Sequence, residues 1–324
     1  MLYISNQNTD AAFNLALEEY LLTDKTEDIF MLWRNERAIV VGINQNTISE
    51  INIEKVREKN VKVIRRLTGG GAVFHDLGNI NYTFITKDGA FGDYSVYLEP
   101  VIKALQALGV NAEFSGRNDM TVNGMKISGN AQCVKNGRFL QHGTILFSAD
   151  MSDLTDTLNV NPLKIQDKGV KSIRSRVTNI ALYLKEQMTA VEFFAYLEKF
   201  ILAEYGDITA HNLTEGEMKG IEEIKRERYD TWEWNYGQSP AYTYKNAAYI
   251  NGMVEVYLNV ADGTVQNAKI YGDFFSKKDI KELENALNNV RHEKFSIEER
   301  LKDIDISQYI SGIEGDEFIN ILIG

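Results

Sequence analysis

The chain is short of several things. It has one cysteine, Cys133, in 324 residues, which excludes an internal disulfide and a thiolate-rich metal site and suits a reducing compartment. Its four histidines are scattered without metal-ligand spacing. Only three prolines occur and no low-complexity stretch is present, so long disordered linkers are not expected. No repeat of solenoid length is found. The longest apolar runs, such as AIVVGI at 38–43, fall far short of the roughly 20 residues that a membrane-spanning helix requires. The opening MLYISNQNTD has no basic-then-apolar signal pattern. The expected location is therefore cytoplasmic, with no membrane partner. Positive charge is also scarce, since 35 Lys and Arg stand against 46 Asp and Glu and leave a formal charge of −11. Nucleic acid is thus not expected as a partner, and any polyanionic ligand must be held by a local basic site.

What is present suits a globular protein: 44% apolar and 25% charged residues, in a chain long enough for two hydrophobic cores. After the polar NQNTD, the spacing in AAFNLALEEYLL predicts an amphipathic helix, with Thr9 or Asp10 placed to cap it. IFMLW (29–33) and AIVVGI (38–43), separated by RNERA, read as a pair of strands. ISEINIEKVREKN reads as helix, VKVIR (61–65) and INYTFI (80–85) as strands, and SVYLEPVIKALQALG (95–109) as a helix ended by glycine. Asn123-Gly124 and Asn136-Gly137 are hairpin signals, so 119–149 reads as an antiparallel meander. Helical patterns then run from Met151 to about Arg228, interrupted by the charged segment 166–176. Near Tyr229 the composition turns aromatic, in YDTWEWNYGQSPAYTY. The expected organisation is a large α/β domain over 1–245 and a small α+β domain over 246–324.

RRLTGGGAVFHDLGN, residues 65–79, sets three consecutive glycines after a double arginine. A dinucleotide fingerprint starting at Gly69 would need a glycine where Phe74 stands, and a Walker loop would need Gly-Lys-Ser/Thr, so both are disfavoured. Consecutive glycines can still aim several backbone N–H groups at one point as an anion nest. Arg65 and Arg66 could then add positive charge for a phosphate or carboxylate. Spacing alone leaves the alternative of a tight turn with solvated arginines. In GRNDMTVNGMKISGNAQ (116–132), Lys126 stands just past a hairpin turn, with Arg117 and Asp119 on the other arm. Lys126 is either an edge residue or a compact charge for a carboxylate meeting a phosphate, and Asp119 either a turn residue or a ligand for magnesium bridging phosphates.

These segments, with LQHGTILFSAD (140–150), GVKSIRSRVTNI (169–180) and WEWNYGQSPAY (232–242), resemble in order the motifs of the lipoate-protein ligases. The resemblance spans nearly the whole chain. It implies a biotin/lipoate-ligase-like catalytic domain with a mixed β-sheet flanked by helices, followed by an accessory domain. It also implies use of ATP and Mg2+ to make lipoyl-AMP from lipoate. The lipoyl group would then pass to a lysine of an acceptor domain, on 2-oxo acid dehydrogenase E2 subunits or the glycine-cleavage H protein. By motif position Lys126 matches the catalytic lysine that touches the lipoyl carbonyl and the α-phosphate. Arg66, Gly71, Ala72, Val73 and Phe74 match the ATP-binding set. Arg65, Gly70, Gly71, His75 and Lys126 match the lipoate-binding set, with Asp119 the candidate magnesium ligand. Val73 and Phe74 are also expected as apolar walls for the lipoyl tail.

Such chemistry needs positioning and charge neutralisation more than a side-chain nucleophile, which agrees with the lack of a visible triad. Some proteins of similar fold are octanoyl- or lipoyl-transferases that work through a cysteine acyl-enzyme. Cys133 would serve as that nucleophile, with His142 as a spatial neighbour; otherwise it is a small buried hydrophobe. A third alternative is a non-catalytic binder of lipoyl domains.

Overall fold

The structure is a computed structural model and describes residues 1–115, 118–158, 177–237, 242–250, 253–272 and 276–324. Arg117 and the segment 166–176 lie outside the described residues. Two compact units are present, one built from residues 1–45 and 49–231, the other from 46–48 and 232–324.

The larger unit holds an eight-stranded mixed sheet and a three-stranded one. Its strands are β1 (Leu2–Ser5), β2 (Ile29–Trp33), β3 (Ala38–Val41), β4 (Lys62–Arg65), β5 (Val73–His75), β6 (Asn79–Thr86), β7 (Ala112–Ser115), β8 (Asp119–Val122), β9 (Met125–Lys135), β10 (Arg138–Leu146) and β11 (Thr209–His211). The large sheet runs β11-β1-β2-β6-β10-β9-β8-β7, and the small one β4-β3-β5. β2 and β3 do not pair, contrary to the reading of IFMLW and AIVVGI. Each is buried along its whole length, the mark of a central strand that needs neighbours on both sides, and RNERA carries the chain from one sheet to the other. β11 was hidden inside a stretch read as helical. Both Asn-Gly turns form as expected, with positive φ at Asn123, Gly124, Asn136 and Gly137, the geometry that matches strand twist in two-residue hairpins.

All eight residues of β6 are buried, so only its period of two tells its faces apart. Ile80, Tyr82 and Phe84 join the main core with Phe30, Leu32 and the helices Ser95–Ala107 and Ala190–Tyr205. Asn79, Asn81 and Thr83 face the other side. There the register aligns Trp33 with Asn81 and Asn81 with Thr144, and Thr83 with His142. Helix α1 (Ala11–Asp24), whose cap is Asp10 accepting from the Ala12 N–H, packs against β6, β10 and β4. A polar sheet face thus lies under a helix and a second sheet, which is where the candidate site forms.

The smaller unit has an antiparallel sheet of β12 (Tyr242–Tyr249), β13 (Met253–Ala261) and β14 (Thr264–Gly272). The boundary expected at 245/246 falls within β12. Val254, Val256, Leu258 and Val260 alternate inward on β13, and the helices Ile280–Leu287 and Gly315–Ile323 pack on β14 and β12. Among the described residues, no helix is long and apolar enough to cross a membrane.

Candidate active site

The glycine motif links β4 to β5, and Arg66 holds it in place while Arg65 braces residues 42–45. Neighbouring residues at a strand end point to opposite sides, so Arg65 and Arg66 part company. Arg65, fully buried, donates from Nη1 to the carbonyls of Gly42, Ile43 and Gln45 at 2.9, 3.0 and 2.8 Å, and it does not line the cavity. Arg66 turns under the loop. Its Nη1 donates to the Val40 carbonyl at 2.9 Å, its Nη2 to the carbonyls of Gly69 and Gly71 at 2.6 and 2.9 Å, and its Nε to Thr68 Oγ1 at 2.9 Å. Burial pulls both guanidinium groups down to about 10, which leaves them charged at neutral pH. Arg66 therefore acts first as a clamp that shapes the loop and only second as a charge facing the cavity.

With its carbonyls turned toward Arg66, the loop leaves the N–H groups of Gly70, Gly71 and Ala72 without a backbone acceptor among the described residues. That is the disposition of an anion nest. Gly70 sits at φ 94°, and a Cβ there would lie 2.9 Å from Arg66 Nη2. At Gly69 and Gly71 a Cβ would meet no protein atom within 4 Å. The chain's own geometry thus demands glycine only at the middle position.

The cavity, about 170 Å³, is bounded by Arg66, Gly70, Gly71, Ala72 and Val73 on one side and by Lys126, Asn118, Gly129 and Asn130 on another. Leu15 of α1, Val40 of β3 and Trp33 of β2 add apolar surface, and His75, Asn81, His142 and Thr144 add polar surface. Strand alternation sends Val73 and His75 into it and turns Phe74 away, opposite Ile39 and 2% exposed. Phe74 is accordingly not one of the walls. Lys126 Nζ pairs with Asp119 Oδ1 at 2.7 Å, both side chains about one-third exposed (38% and 34%). Asp119 pairs with Lys126, a lining residue, without itself lining the cavity.

Sequence reasoning missed Glu18, Thr68, Thr83, Trp33 and Asn81. Thr68 Oγ1 accepts from Arg66 Nε–H and shares a hydrogen bond with His142 Nε2 at 2.8 Å, and His142 Nδ1–H donates to both Glu18 oxygens at 3.0 Å. From the other side Trp33 Nε1–H donates to Thr83 Oγ1 at 2.9 Å, and Thr83 donates to Glu18 Oε1. Two chains of hydrogen bonds end on one buried carboxylate, fixing the loop arginine and the cavity tryptophan together. Asn81 is 1% exposed and neither of its amide atoms has a partner among the described residues. The period-two pattern of polar residues in NINYT was the signal for it.

His75 is 3% exposed. Burial, helped by Arg66 and His142, pushes its ring down from 6.5 to about 3. The unfolded chain therefore takes up a proton below pH 6.5 that the folded protein accepts only near pH 3, so this group's effect is a stability that falls as pH drops through that window. At pH 5 the loss is about 2 kcal/mol. His75→Gln is expected to flatten the decline of the melting temperature between pH 6.5 and 5, and an undiminished slope would refute the buried neutral ring.

Cys133 does not line the cavity. Burial, with Glu18 and Glu19 outweighing Lys135, pushes its thiol up to about 12, and both ring nitrogens of His142 are engaged elsewhere. This is the opposite of an activated thiolate.

Residues 10–201 match the family described as Lipoyl protein ligase A/B catalytic domain, and residues 239–322 match Bacterial lipoate protein ligase C-terminus. The chain is similar to a lipoate-protein ligase of Bacillus subtilis, at 42% identity over 99% of this chain and 100% of that protein. Among solved structures it resembles P. falciparum LipL1 in complex with lipoate, with a TM-score of 0.63 and 28% identity over 99% of this chain and 97% of the other. It also resembles a bi-partite lipoate protein ligase, described with its E2 lipoyl domain, from Thermoplasma acidophilum. That match has a TM-score of 0.65 and 27% identity, covering 73% of this chain and 96% of the other.

Proposed function

We propose that this chain, which belongs to the lipoate-protein ligase family, activates lipoate with ATP to lipoyl-AMP and passes the lipoyl group to a lysine of a lipoyl-acceptor domain. The observation that carries this reading is the meeting, in one cavity, of Lys126 and a glycine loop whose Gly70, Gly71 and Ala72 N–H groups have no backbone acceptor among the described residues. A carboxylate becomes open to attack by an amine only when its oxygen can leave, and attack on the α-phosphate of ATP converts that oxygen to part of AMP as pyrophosphate departs. The obstacle is repulsion between anions. Lys126 supplies a positive charge shared between the lipoyl carboxylate and the α-phosphate, while the N–H groups of Gly70, Gly71 and Ala72 hold phosphoryl oxygens. Arg66 keeps those N–H groups aimed, and Arg65 braces the neighbouring segment 42–45. Leu15, Trp33, Val40 and Val73 offer an apolar path for the acyl chain, with His75 near its polar end.

Magnesium fits as an ion held mainly by phosphate oxygens. Among the described residues no three His, Cys, Asp or Glu side chains gather as a cage, and Asp119 is the carboxylate beside Lys126. When bound, the ion would offset phosphate charge and leave Asp119 to choose between it and Lys126. Acceptors on 2-oxo acid dehydrogenase E2 subunits or the glycine-cleavage H protein, and a cytoplasmic setting, complete the proposal.

The test is incubation with lipoate, ATP-Mg and an apo acceptor domain, following acceptor mass and AMP. Modification without ATP from an acyl-carrier donor would favour a transferase, and affinity without pyrophosphate release a binder. Cys133→Ala is expected to keep at least half of the native rate, because the thiol is protonated and outside the cavity. Collapse of that variant would return the acyl-enzyme route to first place.

A further inference from the structure

His75 carries a question that the proposed reaction does not answer, namely which of its nitrogens holds the proton. The answer follows from groups with no freedom. Asn14 Nδ2 lies 3.0 Å from each of the backbone carbonyls of Asn8 and Arg34, and carbonyl oxygens only accept, so this atom is the amide nitrogen. It also meets Asn35 at 2.9 Å, which must therefore present Oδ1. Asn14 Oδ1 is correspondingly the acceptor for Asn6 Nδ2 at 2.8 Å. With Oδ1 of Asn35 taken, its Nδ2 is what faces His75 Nδ1, at 3.0 Å. An N–H donor there requires a bare Nδ1, and a neutral ring then carries its hydrogen on Nε2. That atom is buried, belongs to a ring lining the cavity, and has no hydrogen-bond partner among the described residues.

We infer that Asn35, itself locked by Asn14, is a positioning residue that holds His75 as the Nε2–H tautomer, so that the ring offers the cavity a neutral hydrogen-bond donor for an oxygen of the bound acyl carboxyl group. This rests on the ligase reading above for the identity of the ligand, but the tautomer itself does not. A buried donor without a protein acceptor costs stability, and a ligand oxygen is the group that relieves it. Among the described residues, the charged and titratable groups that share the cavity or act on the ring are Arg66 of the loop, His142 of β10 and Lys126 of β9, with Glu18 of α1 bonded to His142. All but Glu18 are cationic or neutral, which further favours a neutral ring.

The experiment has two independent arms on the full chain. In the first, 15N-labelled histidine in the native protein is followed by NMR from pH 5.5 to 8. The expected result is a His75 signal of the neutral Nε2–H form throughout; an Nδ1–H form, or titration near the ordinary value, overturns the inference. In the second, lipoate-dependent pyrophosphate exchange is measured for Asn35→Leu and Asn35→Asp, with folding checked by melting. Asn35→Leu is expected to raise KM for lipoate about fivefold to tenfold, with KM for ATP within twofold. In Asn35→Asp a carboxylate faces Nδ1 and draws the hydrogen there, so Nε2–H survives only in the imidazolium. Its activity should then be highest at acid pH and fall as pH rises, a limb that the native enzyme lacks. Equal rises in both KM values, or an Asn35→Asp profile parallel to the native one, overturn the positioning role. Native protein that shows no lipoate-dependent exchange would sink the ligase reading instead, and the NMR arm would still decide the tautomer.

Discussion

Lys126→Ala is expected to lower lipoate-dependent pyrophosphate exchange by about a thousandfold or more while leaving the melting temperature within a few degrees of native. The first part follows from the role of a compact cation between two anions, since removal of one preorganised donor to developing charge costs about a hundredfold to a thousandfold and here a full charge is lost as well. The second follows from the solvent around its partner. Asp119 is 34% exposed in its pair with Lys126, so after the lysine is gone its carboxylate is rehydrated, and exposed pairs contribute about 0–1 kcal/mol. Transfer from preformed lipoyl-AMP to an acceptor should fall less than adenylation, because the phosphate is no longer being attacked. Lys126→Arg would keep charge but bring a planar fork to a place that a compact ammonium fills, and is expected to recover only part of the rate. Exchange by Lys126→Ala within tenfold of native would remove this lysine from the chemistry.

What the sequence disclosed of this site depended on distance along the chain. Lys126 could be placed because the Asn123-Gly124 turn sets its register locally, and the glycine loop because three glycines between two strands admit few geometries. The division of labour between Arg65 and Arg66 was available from alternation alone, yet a charged pair beside a glycine nest invites the reading that both face the ligand. The same alternation excludes Phe74 from the cavity. The supporting groups were a different matter. Asn35 sits in the polar RNERA and looks like linker, since its partners Asn14 and His75 are 21 and 40 residues away. Glu18 falls within the apolar periodicity of α1 and reads as a stray charge, until β10 brings His142 to it from 124 residues further on. Pairings of that range are set by the packing of α1 on the sheet and leave no local pattern. The error over β2 and β3 has the same root, because adjacency in sequence suggested a hairpin while burial on both faces required two separate central strands.

Gly70→Val is expected to reduce adenylation at least a hundredfold in a protein that keeps its native circular dichroism. A valine at φ 94° occupies backbone space that β-branched residues avoid, at a cost of about 1–3 kcal/mol. Its Cβ would start 2.9 Å from Arg66 Nη2, and that nitrogen has little room to retreat while it is bonded to the carbonyls of Gly69 and Gly71. Relief must therefore come from turning the loop's peptides, which moves the N–H groups of Gly70 and Gly71 off the phosphate. The core is untouched, because the strain is confined to a connection at the cavity edge. The neighbouring positions supply the control. At Gly69 and Gly71 a Cβ meets nothing of the protein within 4 Å, so Gly69→Ala and Gly71→Ala should leave the melting temperature unchanged. Any activity lost at Gly71→Ala then reports contact with a ligand, measured as a rise in KM for ATP or lipoate. Near-native exchange by Gly70→Val would reduce the loop to a turn and shift the anion site to Lys126 alone.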